Sequence, residues 1–290
     1  MLKALAEFIL RGRVQALLVA LVGSFFPLVS SATVALVTLC KGSKEGFLLF
    51  LWASLPLIVL QQVGDENMLL TAVSVASLGI MVVAASLHSL YALWQWTLIA
   101  IVVVAIICAA TFGVLMSSDV TALIAVAQEM FQAVQAQQTD TTLASVITEP
   151  LLFGLVAMIL AVGCVMSLLI ARWWQSAVYN PGGFQKEFHG FTINAKVAIV
   201  LLAVFLIGRL LPEGYQLWAD LAALPFLIAG IAMFHSTIKL YGLGSQWVAF
   251  LYVGLIFMGK PVTLVLVGLG LADSLIDLRS RLDGFKNPKT

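Results

Sequence analysis

The sequence predicts an all-α fold: a polytopic transmembrane helical bundle of about eight spans, with broken or short helical pairs near both ends and both termini cytoplasmic. Three observations lead there. Of 290 residues, 62% are hydrophobic and only 10% are charged, with a mean hydropathy of +1.08. Soluble domains carry roughly a quarter charged residues. The apolar residues fall in runs close to the ~20 that a helix needs to cross hydrocarbon. Finally, Lys and Arg gather in some connections and are missing from others, the asymmetry that orients membrane helices. The whole chain, 1–290, reads as one integral membrane domain.

Taken in order, MLKALAEFILRGR places Lys3, Arg11 and Arg13 ahead of an apolar run. No small-residue cleavage site closes a short apolar core, so an uncleaved, membrane-inserted start is expected. Residues 14–40 are too many for one simple span and too few for two, and they include Pro27, Ser30 and Ser31. Runs at 46–63, 68–87, 92–116, 150–171, 194–211 and 217–238 are expected to be full crossings. Residues 247–278 are again an awkward length, with Lys260-Pro261 in the middle. Proline lacks a donor and disfavours helix in the residue before it. Each awkward region is therefore read as an in-and-out pair, re-entrant or built of two short tilted spans.

Charge placement sets the sides. Lys41 and Lys44 follow the first awkward region, Arg172, Lys186 and Lys196 flank the 172–196 loop, and Lys239, Arg279, Arg281, Lys286 and Lys289 lie towards the C-terminus. By contrast, 117–149 carries Asp119, Glu129, Asp140 and Glu149 without Lys or Arg. The 172–196 loop is thus expected in the cytoplasm and 117–149 outside. Within 117–149, Val120, Leu123, Ile124, Ala127, Phe131 and Val134 recur at helical spacing opposite several Gln, predicting an amphipathic surface helix.

Ionisable groups within apolar spans are costly and mark candidate sites. Asp273 and Asp277 in GLADSLIDLRSRL are four apart, which predicts one helix face suited to a cation or a metal-diphosphate site. Arg281 is positioned to pair with Asp277, and Lys260 or Arg209 are candidate partners for Asp273. A D-x-x-x-D face is similar to that of membrane prenyltransferases and phosphatidyl-alcohol transferases, but those need a second acidic cluster, which is missing. His88, His189 and His235 lack a neighbouring carboxylate or Cys at ligand spacing, and Cys40, Cys108 and Cys164 stand alone in apolar runs. No metal site, cofactor or catalytic constellation is expected, and no glycine pattern for nucleotide appears. A net charge of +1 argues against a nucleic-acid surface.

The loop WWQSAVYNPGGFQKEFHGFTI is the other notable stretch. Trp173 and Trp174 sit where an aromatic belt is expected. Asn180, Pro181, Gly182 and Gly183 predict a turn, with Pro presetting φ and Gly supplying positive φ. Phe184, Phe188 and Phe191 follow at i, i+4 and i+7, predicting an interfacial helix with Gln185, Lys186 and Glu187 towards water. This elbow, from Trp173 to Phe188, is the expected surface for a cytoplasmic or membrane protein partner.

The YNPGGFQKEFHGFTI loop after a Trp-rich helix end, together with the terminal GLADSLIDLRSRL, resembles the YybS-like family of uncharacterised bacterial membrane proteins. The resemblance spans essentially the whole chain and implies a multi-pass protein of the bacterial inner membrane; it brings no activity. In layout the chain is also similar to the substrate-binding components of energy-coupling-factor transporters and to MreD-like morphogenesis proteins. A transport-related role, borrowing an ATPase from partner chains, is the leading expectation. An envelope scaffold is the alternative, and a lipid-acting enzyme the third.

Overall fold

A computed structural model describes residues 2–23, 28–64, 68–116, 124, 148–212 and 214–286. Every regular element among them is helical. The helices are α1 Leu2–Arg11, α2 Arg13–Gly23, α3 Val29–Lys41, α4 Ser43–Val63, α5 Met68–Tyr91, α6 Trp94–Leu115 and α7 Glu149–Tyr179. After the elbow helix α8 Gly183–His189 come α9 Ala195–Gly208, α10 Gln216–Asp220, α11 Leu224–Tyr241, α12 Gln246–Met258, α13 Lys260–Ile276 and α14 Leu278–Lys286. A 3-10 turn, Leu221–Ala223, joins α10 to α11. The expected amphipathic helix in 117–149 lies almost entirely outside the described residues.

Among the described residues, five helical stretches are long and apolar enough to cross a membrane: α4, α5, α6, α7 and the continuous Gln216–Tyr241. The chain is thus a helical membrane protein, with five stretches fit to cross among the described residues where the run lengths predicted six. The exception is 194–211. Its helix stops at Gly208 after 14 residues, about 21 Å, short of the ~30 Å hydrocarbon core. Gly208 rests so close to Ala219 that a Cβ there would lie 2.2 Å from the Ala219 Cβ, and Pro212 follows. Conversely, α7 outruns its predicted 150–171. At 31 residues it spans about 46 Å, longer than the ~30 Å hydrocarbon core needs, so its last turns, Arg172 to Tyr179, exceed one crossing.

Both awkward regions are broken. Helices α2 and α3 have 11 and 13 residues, about 17 and 20 Å, so neither crosses alone. Helix α3 is nonetheless the best-buried element, with every residue from Ser30 to Thr38 enclosed by contacts to α2, α4, α5 and α7. That enclosure is what lets short helices with irregular connections exist at membrane depth. Three of its four hydroxyls are answered: Thr33 donates to the Val29 carbonyl and Thr38 to that of Val34, while Ser31 bonds Ser77 of α5 at 3.1 Å; the buried Ser30 hydroxyl has no partner among the described residues. In the second pair the break falls at Gly259, with φ 50° and ψ −105°, rather than at Lys260-Pro261. Pro261 instead occupies the first turn of α13, where its missing N–H costs nothing.

Helix directions define two faces. The loop face carries 172–196, the end of α3, and the α5–α6 and α11–α12 turns; the far face carries the start of α7, the α9–α10 connection and Gly259. The tightest crossing is α11 on α13. A Cβ on Gly230 would lie 1.9 Å from the Leu266 carbonyl oxygen, and one on Gly270 would lie 2.1 Å from that of Phe226. Only glycine permits such backbone contact, the device that replaces hydrophobic driving force between helices in lipid. Gly268, two residues away, meets nothing within 4 Å. We expect Gly270→Leu to destabilise the purified protein by about 1–3 kcal/mol, read as a lowered Tm, and Gly268→Leu to leave Tm unchanged. Equal Tm values for both variants would refute this crossing.

Candidate functional site

On the loop face, α7 ends in a turn of defined type. The Gly183 N–H donates to the Asn180 carbonyl at 2.9 Å, and Gly182 at i+2 has φ 82° and ψ −8°, the geometry of a type II turn with Pro at i+1. The Ser176 hydroxyl donates to the Asn180 carbonyl at 2.7 Å and accepts the Phe184 N–H at 2.9 Å. These bonds fold α8 back against the bundle. Trp173 stays 42% exposed, while Trp174 is only 2% exposed; the pair divides between surface and core. Phe184 and Phe188 stack at 5.7 Å between ring centroids and pack on the core, Phe184 facing Trp94 and Phe188 facing His235. Phe191 is buried beyond the end of the helix. The outward surface of the elbow is instead Asn180, Pro181, Gly182, Gln185 and Lys186.

Glu187 departs from its expected place in water. One carboxylate oxygen, Oε1, accepts the Trp94 indole N–H at 2.6 Å and lies 3.2 Å from His88 Nε2. The other, Oε2, accepts from the Arg172 guanidinium. The connection at Ala92, which adopts φ 51°, sets His88 and Trp94 against each other with rings 4.7 Å apart. His88 Nδ1 lies 3.3 Å from the Thr97 hydroxyl, so both ring nitrogens have partners. Arg172 also donates to Gln175, whose amide reaches the Leu39 carbonyl at 3.4 Å. Burial alone would raise the Glu187 carboxyl, but the hydrogen bonds from His88 and Arg172, and the Arg172 charge, pull it down from 4.5 to about 2.

A second ion pair fastens the other side of the elbow. Asp273, at 3% exposure, faces Arg279, with Nε 2.9 Å from Oδ2. The Arg279 guanidinium also donates to the carbonyls of His189, Phe191 (2.7 Å) and Ala229 (3.5 Å). Four elements meet there: α14, α13, α11 and the exit of the elbow. Desolvation lowers the Arg279 pKa, and the Asp273 carboxylate opposes it. Nearby, burial, the Lys239 charge, His235 and Arg279 together push His189 below its usual 6.5. Neither Lys260 nor Arg209 is the partner of Asp273.

The four expected ligand residues therefore separate. Helix α13 ends at Ile276 and Asp277 turns left-handed, with φ 47°, so Asp273 and Asp277 do not form one helical face. Asp277 instead caps α14, accepting the Ser280 hydroxyl at 2.5 Å, and the Arg281 guanidinium donates to the Ile276 carbonyl rather than to the Asp277 carboxylate. Lys260 begins the same helix 13 residues before Asp273, about 20 Å away. Lys260 and Arg209 do come together, at the far face.

That meeting place is a cavity of about 460 Å³ between α7, α9, α10, α11 and α13. Arg209, Asp220, Gln216, Thr263 and Lys260 supply its polar groups. Arg209 donates to Asp220, and its guanidinium lies 4.5 Å from the Phe205 ring centroid. On α13 the lining residues Lys260, Thr263, Leu264 and Val267 follow i, i+3, i+4 and i+7, one face of the helix. Among the described residues, no three His, Cys, Asp or Glu side chains are grouped to hold a metal ion. Comparison with known protein families, with curated proteins and with solved structures finds no match to this chain.

His88, Trp94, Asp220 and Arg279 did not emerge as site residues from the sequence. Their partners are 93 and 99 residues away for Trp94 and His88, beyond any local periodicity. Two consequences are measurable. The Glu187 contribution is complete above its unfolded value near 4.5 and is lost as pH falls towards about 2, because the folded-state pKa is depressed. Wild-type Tm should fall through that window, and Glu187→Gln should start lower and fall less; parallel curves would remove the assignment. For the second pair, Asp273→Ala leaves a buried guanidinium unpaired and should cost about 3–5 kcal/mol, whereas Asp273→Leu with Arg279→Met should recover part of it. An Asp273→Ala protein as stable as wild type would show that the pair is not structural.

Proposed function

We propose that the protein is a transport-related component of the bacterial inner membrane, one that binds its ligand within the bundle and relies on partner ATPase chains for energy. The observation that supports this best is the cavity at the far face. It lies where α7 meets α9, α10, α11 and α13, while on the loop face Glu187 ties α7 to the elbow and Arg279 ties α13 to α11 and the elbow. Among the described residues the cavity is open on one side and closed on the other, the arrangement that alternating access requires.

Positive-inside asymmetry supports a cytoplasmic loop face, with Lys41, Lys44, Arg172, Lys186, Lys196 and Lys239 at that end. Between α3 and α13, Arg209 and Lys260 alone among the described Lys and Arg stand at the far face, and both line the cavity. Two cations kept against the orienting rule favour a role in binding. The YybS-like resemblance fits an inner-membrane location. A partner would meet Trp173 and the exposed turn residues Asn180, Pro181 and Gly182, since Phe184 and Phe188 pack inward.

The envelope-scaffold reading draws on α12, where Phe250, Ile256 and Phe257 are 67%, 76% and 82% exposed. A cysteine-labelling map in intact cells separates the readings. With a membrane-impermeant maleimide, Lys260→Cys should label from outside and Gln185→Cys only after permeabilisation. Co-purification of an ATPase, weakened by Trp173→Ala with Pro181→Ala, is the transport expectation. Labelling of Lys260→Cys solely from inside, or recovery of cell-wall proteins alone, would overturn it.

A further inference from the structure

The distribution of chemistry along the cavity narrows what it can hold; this rests on the binding role proposed above. Its polar groups cluster at one end. Lys260 lies at the mouth and is exposed, and no carboxylate pairs with it among the described residues. Arg209 is already matched by Asp220, so among the described residues the mouth carries one positive charge without a carboxylate partner. Below it the wall turns apolar: Met158 and Val162 on α7, Phe205 on α9, Leu227 on α11 and Val267 on α13. Lys260 to Val267 is seven residues, about 10 Å of helix, and Leu151 to Val162 is eleven, about 16 Å. The apolar part is therefore a trough rather than a patch.

A sugar, amino acid or nucleotide would bury hydroxyls or amides against that trough without partners, at a cost of roughly 2–7 kcal/mol for each. A hydrocarbon chain would instead match it, with the head held where the charge stands. Helix α9, which forms one wall, presents Ile199, Val200, Val204 and Ile207 outward, so the surroundings of the cavity are themselves apolar. We infer that the cavity binds a chain-bearing anion: an amphiphile with one negatively charged head at Lys260 and a hydrocarbon tail along Met158, Val162, Leu227 and Val267. A bilayer glycerophospholipid and a free fatty acid share this chemistry.

Native mass spectrometry of the full chain in a neutral maltoside detergent tests this and tells the two sources apart. The protein is offered dioleoyl phosphatidylglycerol, dioleoyl phosphatidylcholine, oleate and glycerol 3-phosphate in parallel. Retention of phosphatidylglycerol or of oleate, well above phosphatidylcholine and glycerol 3-phosphate, is expected; whichever is kept identifies the source. Lys260→Gln should reduce that preference about fivefold while leaving Tm unchanged, since Lys260 is exposed. Leu227→Trp should displace the bound amphiphile by filling the trough, with Tm checked to show that the variant is folded. Equal retention of phosphatidylglycerol and phosphatidylcholine in wild type and Lys260→Gln would overturn the anionic class while leaving a binding cavity. Glycerol 3-phosphate bound as well as the lipids would overturn the tail. No retained molecule sensitive to Leu227→Trp would remove the cavity as a binding site altogether.

Discussion

The carboxylate of Glu187 is the contact on which the loop face depends. It sits on a seven-residue helix, far too short to be stable in isolation, and is met by groups from α5, α6 and α7. A half-buried carboxylate is tolerable only when such donors are already in place. Their placement depends in turn on the left-handed turn at Ala92 and on α7 continuing past the lipid to Arg172. A type II turn then returns the chain so that Glu187 arrives among them. Charge, turn geometry and helix length thus reinforce one another, and removing any one leaves the others without a purpose.

The same rule, that polar groups at membrane depth must be answered by protein, explains the central position of α3. A helix of 13 residues cannot carry its ends to water on both sides. It is tolerated because neighbours surround it, the hydroxyls of Ser31, Thr33 and Thr38 bond within the protein, and Ser167 of α7 donates to the Leu28 carbonyl at 3.4 Å. Helices α9 and α12 show the opposite case. They are also short, but apart from Lys196 and Gln246 in their first turns their most exposed side chains are apolar, so they remain at the periphery.

What the sequence made legible follows from range. Composition and run length disclose the class and most crossings, because a membrane helix is a local object. The Asn-Pro-Gly-Gly turn is equally local, and its Pro and its positive-φ Gly announced it. Run length failed at 194–211, where apolar sequence continues through Gly208 and only the close approach of Ala219 marks the stop. It also failed to separate the two ends of α13: Lys260 and Asp273 look adjacent as scarce charges in a greasy segment, yet 13 helical residues hold them about 20 Å apart. The pairing of Asp273 with Arg279 was missed for a related reason. Six residues is not a helical repeat, and the pair forms only because the helix ends and reverses at Asp277. The cavity itself was invisible, since its walls come from five elements spread over more than a hundred residues.

Helix α13 connects these observations. Its first half lines the cavity with Lys260, Thr263, Leu264 and Val267, its Gly270 is pressed against α11, and its Asp273 is gripped by Arg279. A rigid helix fastened at its loop-face end and packed through glycine near its middle can shift at Lys260 chiefly by turning about that crossing. A ligand moves such an equilibrium only by its difference in affinity for the two positions. Breaking the Arg279 pair is opposed by several kcal/mol, more than one head-group contact supplies. Small rotations of α13, with Gly259 free to absorb them at φ 50°, are therefore within the reach of ligand binding alone. On the proposed reading, release of the loop face would require a further source of energy acting there, which a partner at the exposed turn would provide.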